Sequence, residues 1–393
     1  MKNKTIIPLT PQTGGVLDSH QVIGREKVIE KYWKILQRQG FVLYAERRFG
    51  KSAVLTKMFA ENRKDFLTIY KGVEGVKNAD EFAFSLFEHM KEKKIIKEDI
   101  LKKTEEFFHS ITEHIEEIEG IKFRKIDKKW QKQFNYLLKL LTSQHSDKYI
   151  VIMLDEFTIM LNKMEESEAV NILGYLRDLV QHEFSEKLRF VYCGSIGIDL
   201  VLDKFKRAGH YMGDPINHMS KQRLLPFTEE ESLFFCKCLN KGCELALTED
   251  DMKYICSLAD NIPYFIDKIF DRIKDSAQIN KSVIDKVLND ILEDPSDPDN
   301  LSHFYDRITH FYPNKIITYY ILNYLSKIDK DTSEDVIADH INHQMDADRI
   351  LINNEINQLW EDGYLKREII AGKRYFQFNY SIIKKWWAIN KAN

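Results

Sequence analysis

Apolar residues along this chain come as stripes at helical spacing and as short unbroken runs, and the two alternate from about residue 22 to residue 227. In residues 26–38, Val28, Ile29, Tyr32, Trp33 and Leu36 share one helical face, and Gly40 marks the stop. Phe41-Val42-Leu43-Tyr44 is unbroken, which predicts a strand buried on both faces. A helix over 53–63 and a strand over 65–73 are expected next, then helices over 79–94, 100–118 and 129–143. The helix over 100–118 is rich in Lys and Glu and predicts a solvated outer layer. Residues 149–154 form the clearest buried strand, followed by a helix over 168–182, a strand over 188–193 and a last short strand over 223–227. Short apolar strands alternating with helices predict a parallel sheet covered on both faces, with ligands bound beyond the C-terminal strand ends.

Beyond this α/β region the pattern is helical from 228 to 293, and the polar, proline-punctuated segment 294–299 predicts a linker. The remainder predicts three helices followed by a hairpin, with 366–370 and 373–378 as strands around Ala371-Gly372, an arrangement that suggests a winged helix. The expected domains are therefore a loosely packed N-terminal arm (1–20), an αβ core (21–227), a helical lid (228–293) and a winged-helix domain (301–393). No internal repeat is present.

Composition narrows the class. The 393 residues include 58 basic and 61 acidic side chains, a formal charge of -3, which excludes a uniformly basic nucleic-acid binder but not a local basic patch. The best apolar run, 149–157, is interrupted by Asp155 and Glu156, and the first twenty residues lack the apolar stretch of a secretory signal, so a cytoplasmic protein without a membrane span is expected. Five cysteines make no disulfide scaffold; Cys236, Cys238 and Cys243 cluster, and read as incidental thiols of a buried helix.

The chemistry concentrates in three places. Ala45 to Ser52 nearly matches G-x-x-x-x-G-K-[ST] between a strand and a helix, a loop whose backbone N–H groups wrap a polyphosphate at a helix N-terminus. Gly50 lets the backbone approach, Lys51 reaches the β- and γ-phosphates, and Ser52 ligates Mg²⁺. Ala45, standing where the motif has glycine, tolerates positive φ poorly and predicts an altered first turn. Arg47 and Arg48 are candidates for contact with phosphate or with a partner. At the end of the 149–154 strand, Asp155 is the candidate for holding Mg²⁺ through water and Glu156 for general base. Gly194-Ser195, after the next strand, puts a small hydroxyl near the γ-phosphate or the attacking water.

Taken together, these residues resemble the P-loop AAA+/STAND superfamily, and within it the prokaryotic "archaeal ATPase" family related to origin-recognition ATPases. The resemblance is carried by Val22-Ile23-Gly24-Arg25-Glu26, Glu46-Arg47-Arg48-Phe49-Gly50-Lys51-Ser52 and Leu154-Asp155-Glu156-Phe157. Cys193-Gly194-Ser195, Leu224-Leu225-Pro226-Phe227-Thr228, Asn261-Ile262-Pro263-Tyr264-Phe265 and the stretch 359–387 add to it. It implies ATP and Mg²⁺ as cofactors, bound between core and lid. Phe49 and Ala53 then belong to the phosphate-loop contacts, Val22, Ile23 and Gly24 lie near the adenine, and Pro263 lines the lid side. Asn261, like Ala45, replaces a family glycine.

The resemblance implies a Mg²⁺-dependent ATPase acting as a switch or remodeller, in which closure of core on lid repositions the winged helix. Catalysis then falls to Glu156, Lys51 and Ser195, with a neighbour's Arg177, Arg207 or Arg223 as candidate donor to the γ-phosphoryl. Two other expectations are a DNA-binding regulator that holds nucleotide without turnover and an ATPase subunit serving a separate effector in a mobile-element or phage-defence system. Within the winged helix, Asp346, Asp348 and Glu355 outnumber Arg349 along the expected recognition helix, whereas Lys366, Arg367, Lys373, Arg374, Lys384, Lys385 and Lys391 make the hairpin end basic. Double-stranded DNA, a protein effector and a second copy of the chain are therefore all expected as candidate partners.

Overall fold

The computed structural model describes residues 5–97, 129–210, 213–297 and 301–392, apart from residue 16, together with residues 102, 104–106 and 299. Most of the helix expected over 100–118 lies outside the described residues.

Five parallel strands, β1 (Phe41–Tyr44), β2 (Phe66–Gly72), β3 (Tyr149–Asp155), β4 (Leu188–Gly194) and β5 (Ser220–Arg223), form one sheet in the order β2-β3-β4-β1-β5. Ile150 to Leu154 are fully buried, as the unbroken apolar run requires of a central parallel strand. The register sets the strand ends in one row: Gly72 lies beside Asp155, and Tyr44 beside both Gly194 and Arg223. Helices Glu26–Leu36, Lys51–Ala60, Ala79–Glu92, Lys129–Gln144, Glu166–Asp178 and Ile198–Arg207 accompany the sheet.

The last strand departs from the expectation of 223–227. It runs over the polar residues Ser220–Arg223, while Leu225 is exposed and Pro226 has no N–H to give a ladder. An edge strand needs little apolar content, so the hydrophobic pattern pointed three to four residues too late.

Four helices follow, Glu229–Gly242, Glu249–Leu258, Pro263–Ile273 and Lys281–Glu293. The first two begin with capping boxes, Thr228 with Glu231 and Thr248 with Asp251, and the third has proline at its first position.

The N-terminal arm is not loose. Leu9 is buried, its N–H donates to the Cys238 carbonyl at 3.1 Å, the Gln12 N–H donates to Asp267 Oδ2 at 2.7 Å, and Lys241 Nζ donates to the Ile6 carbonyl at 3.0 Å. The Leu9 backbone runs so close to Gly242 that a Cβ there would lie 1.9 Å from the Leu9 oxygen. Alanine at 242 should therefore lift the strap despite its better helix propensity. The expected readout is faster proteolytic cleavage near the N-terminus of Gly242→Ala than of the wild type; equal rates would contradict the seating.

The segment 294–299 is not a free linker either. Asp297 accepts the N–H groups of Leu301 and Ser302 at 2.7 Å each, and Asp299, buried to 1% exposure, takes the Tyr264 hydroxyl at 2.7 Å and Lys268 at 3.2 Å. The C-terminal region holds four helices rather than three before the hairpin, His303–Phe311, Lys315–Ser326, Glu334–Met345 and Arg349–Glu361. The hairpin strands β7 (Leu365–Ile370) and β8 (Lys373–Phe378) pair with a short β6 (Thr332–Ser333) in the order β6-β8-β7, and helix Ser381–Asn390 closes the chain. Among the described residues no helix is long and apolar enough to cross a membrane.

Candidate nucleotide site

The loop after β1 enters helix Lys51–Ala60 through Gly50 at φ 88°, preceded by Arg48 at φ 75°. Ala45 adopts no positive φ, so its side chain costs nothing at the first turn, contrary to the expectation for that position. Lys51 is buried and its ammonium donates to the Ala45 and Glu46 carbonyls at 2.8 and 3.1 Å. Two neutral acceptors leave its charge uncompensated, and among the described residues no ion pair involves it. The positive field is felt nearby: burial foremost, then Arg47, Arg307, Lys51 and Arg48, push the His303 imidazole down to about 3. A loop with helix N–H groups and an excess of positive charge fits a polyphosphate.

Across from it, the end of β3 delivers two carboxylates to different tasks. Asp155 is buried and takes the Tyr70 hydroxyl on Oδ2 at 2.8 Å and the Glu156 N–H on Oδ1 at 3.1 Å. Burial first, and then the Asp155 charge, raise the Cys193 thiol far above its ordinary range. Glu156 sits at φ 55°, a turn that starts helix Phe157–Lys163, and its Oε2 accepts from both the N–H and the hydroxyl of Ser195 at 3.2 and 3.1 Å. Ser195 thus orients Glu156.

A cleft of about 540 Å³ brings most of these groups together. Arg47, Arg48, Gly50, Lys51, Ser52, Ala53, Asp155, Glu156 and Pro263 all line it. Five predicted residues do not. Val22, Ile23 and Gly24 are buried outside its lining, Val22 through a bond from Lys57 Nζ to its carbonyl, and Gln21 lines the cleft instead. Phe49 turns inward to a T-shaped contact with Tyr380 at 5.2 Å, because a fully buried ring has apolar partners there. Ser195 lines a separate cavity of about 570 Å³ together with Glu46, Arg223, Arg307 and Asp362.

Several contributors were not anticipated. The strap residues Leu9, Thr10, Gln12, Thr13, Gly14 and Gly15 form one wall, and Tyr264 and Asp267 belong to the lid side. Burial, opposed by the Gln12 N–H and aided by Asp271, raises the Asp267 carboxyl to about 7. Arg25 braces the site from behind: it donates to the Leu225 and Phe49 carbonyls at 2.9 Å each and lies 4.4 Å over the Phe227 ring. Its presence beside Gly24 in the sequence was the available signal. Arg48 donates to the Asp299 carbonyl at 3.3 Å and stacks 4.3 Å over Tyr264.

The three arginines considered for donation to a neighbour differ in situation. Arg223 pairs with Glu46 at 2.5 Å within the chain, Arg177 donates to Gln181 at 3.1 Å, and Arg207 is exposed at the end of helix Ile198–Arg207. Cys236 and Cys238 are buried, Cys236 lies 3.4 Å from Cys256 sulfur to sulfur, and all five cysteines are free thiols.

Set against solved structures, 97% of this chain superposes on 99% of the Walker-type ATPase PABY2304 of Pyrococcus abyssi, with a TM-score of 0.64 at 14% identity. Over 98% of the chain it is similar to 96% of the Aeropyrum pernix ORC2 protein of the ADPNP–ADP complexes, with a TM-score of 0.54 at 11% identity. No family model and no curated protein matches the sequence. The chain therefore has the α/β fold of P-loop ATPases, the one shared with this origin-recognition protein.

Proposed function

We propose that this chain is a Mg²⁺-dependent ATP hydrolase whose nucleotide state is relayed to a C-terminal winged helix. The observation that carries the reading is the convergence of Lys51, Ser52, Asp155 and Glu156 on one cleft. On this reading residues 21–227 are the ATPase core, 228–293 the lid and 301–393 the winged-helix domain. Lys51 leaves its carbonyl partners for the β- and γ-phosphates, and the helix N–H groups cradle the chain of phosphates. Ser52 and Asp155 are the oxygen donors for Mg²⁺, which neutralises developing charge on the phosphoryl oxygens. A site with one hydroxyl and one carboxylate suits a cation that keeps phosphate and water in its shell, and among the described residues no cluster of three His, Cys, Asp or Glu competes for it. Glu156, aimed by Ser195, takes a proton from the attacking water.

The relay is supported by contacts from the loop to the C-terminal region. Phe49 meets Tyr380, and Gly363 lies directly against the Glu46–Arg223 pair. Lys366 and Lys373 are exposed on the hairpin, whereas Arg349 is engaged by Asp335 and Asp339 at 2.6 and 2.8 Å and Arg374 by Glu334 at 2.9 Å. DNA contact on this reading therefore runs through the hairpin lysines. Of the three arginines, Arg207 alone is exposed and suited to a neighbouring copy.

Steady-state phosphate release from ATP, with Mg²⁺ or with EDTA and with or without duplex DNA, tests the proposal. Turnover that needs Mg²⁺ is expected, and DNA stimulation would favour the hairpin as a DNA contact. ATP bound but never hydrolysed would leave the nucleotide-holding regulator or an effector-dependent subunit in its place.

A further inference from the structure

Where the cleft runs between the strap and the lid, its lining changes from the charged side chains of the loop to apolar ones. Leu9 is tied to helix Glu229–Gly242, whose Phe235 and Leu239 face the same space, and Pro263, which opens helix Pro263–Ile273, lines it beside them. These are flat or apolar surfaces of the kind that sandwich an aromatic ring. Among them stands one acid, Asp267, which is 7% exposed and has its Oδ2 fixed by the Gln12 N–H. A carboxyl oxygen carries two lone pairs, so this one keeps acceptor capacity beyond its bond to the strap. That capacity persists in either protonation state. The strap bond also holds the carboxyl in one orientation, and a fixed acceptor in an apolar surround discriminates well between ligands that offer a donor and those that do not.

We propose that Asp267, held in place by the N-terminal strap, is the residue that selects the base, accepting a hydrogen bond from the exocyclic amino group of a 6-aminopurine. The inference rests on the nucleotide reading of the cleft and specifies its ligand. A purine with hydrogen at position 6 leaves the buried oxygen without that donor, and a 6-oxo purine offers an acceptor in its place.

The test is calorimetric titration of the full chain with Mg²⁺ and either ATP or purine riboside 5′-triphosphate, which differs only in lacking the 6-amino group. The wild type should bind the analogue about 10- to 100-fold more weakly than ATP, the range expected when one buried hydrogen-bonding group is left without its partner. In Asp267→Ala the two ligands should bind alike, while Asp267→Asn, which keeps an acceptor and the Gln12 bond, should retain the preference. Lost affinity for both ligands with the preference intact in Asp267→Ala would make Asp267 a mere anchor for the strap and overturn the inference. Equal binding of both ligands by the wild type would overturn it without any variant. Failure of the wild type to bind either triphosphate would overturn the nucleotide reading as well, so the two failures are distinguishable.

Discussion

Glu156→Gln is expected to bind ATP as the wild type does and to lose at least about 100-fold in turnover, the usual contribution of a positioned general base. The amide oxygen still accepts from the Ser195 N–H and hydroxyl, now at 3.2 and 3.1 Å from Glu156 Oε2, so the turn at φ 55° keeps its support. What disappears is the capacity to take a proton. Phosphate release measured beside ATP affinity separates the two effects. A glutamine variant within about threefold of wild-type turnover would move the base elsewhere.

Gly363→Ala should have the largest effect on stability. Gly363 has φ 84°, and a Cβ there would lie 1.4 Å from Arg223 Nη2 and 2.1 Å from Glu46 Oε1. Glu46 is 3% exposed and pairs with Arg223 at 2.5 Å, so making room for the Cβ pulls this ion pair apart, and Arg307 with Asp362 at 3.0 Å buttresses the same turn. Positive φ and overlap together cost about 2–4 kcal/mol, which denaturant unfolding would register as a lower midpoint at unchanged slope. Because the Glu46 carbonyl also holds Lys51, ATP affinity should fall in the same variant. An unchanged midpoint would mean that residues 362–364 do not rest on the core.

The site was legible in the sequence where one local pattern carried it. An apolar strand, a glycine-lysine-serine turn and a helix are contiguous, and Asp155-Glu156 is the end of a run whose burial is dictated by its own composition. Contributions that arise only when distant segments meet were not legible. Nothing near Leu9 announces that Gly242 will let it pass, and nothing in Asp299 predicts Tyr264 and Lys268. The contact of Ser195 with Glu156 was not legible either, because the strand register sets the two side by side, which no spacing of single residues reveals. The polar β5 was misplaced because an edge strand is specified by its neighbour's backbone rather than by its own side chains. The motif's glycine makes Ala45 look like a liability, whereas the turn spends its positive φ at Arg48 and Gly50.

The central claim is that one cleft, built on Lys51, Ser52 and Asp155, takes a nucleoside triphosphate with Mg²⁺. Calorimetric titration of the wild-type chain with Mg²⁺ and ATP, beside Lys51→Ala, tests it most directly. One saturable site per chain, lost in Lys51→Ala while the far-UV circular dichroism is unchanged, is the result predicted. No saturable binding to the wild type, or equal affinity in the two proteins, would contradict it.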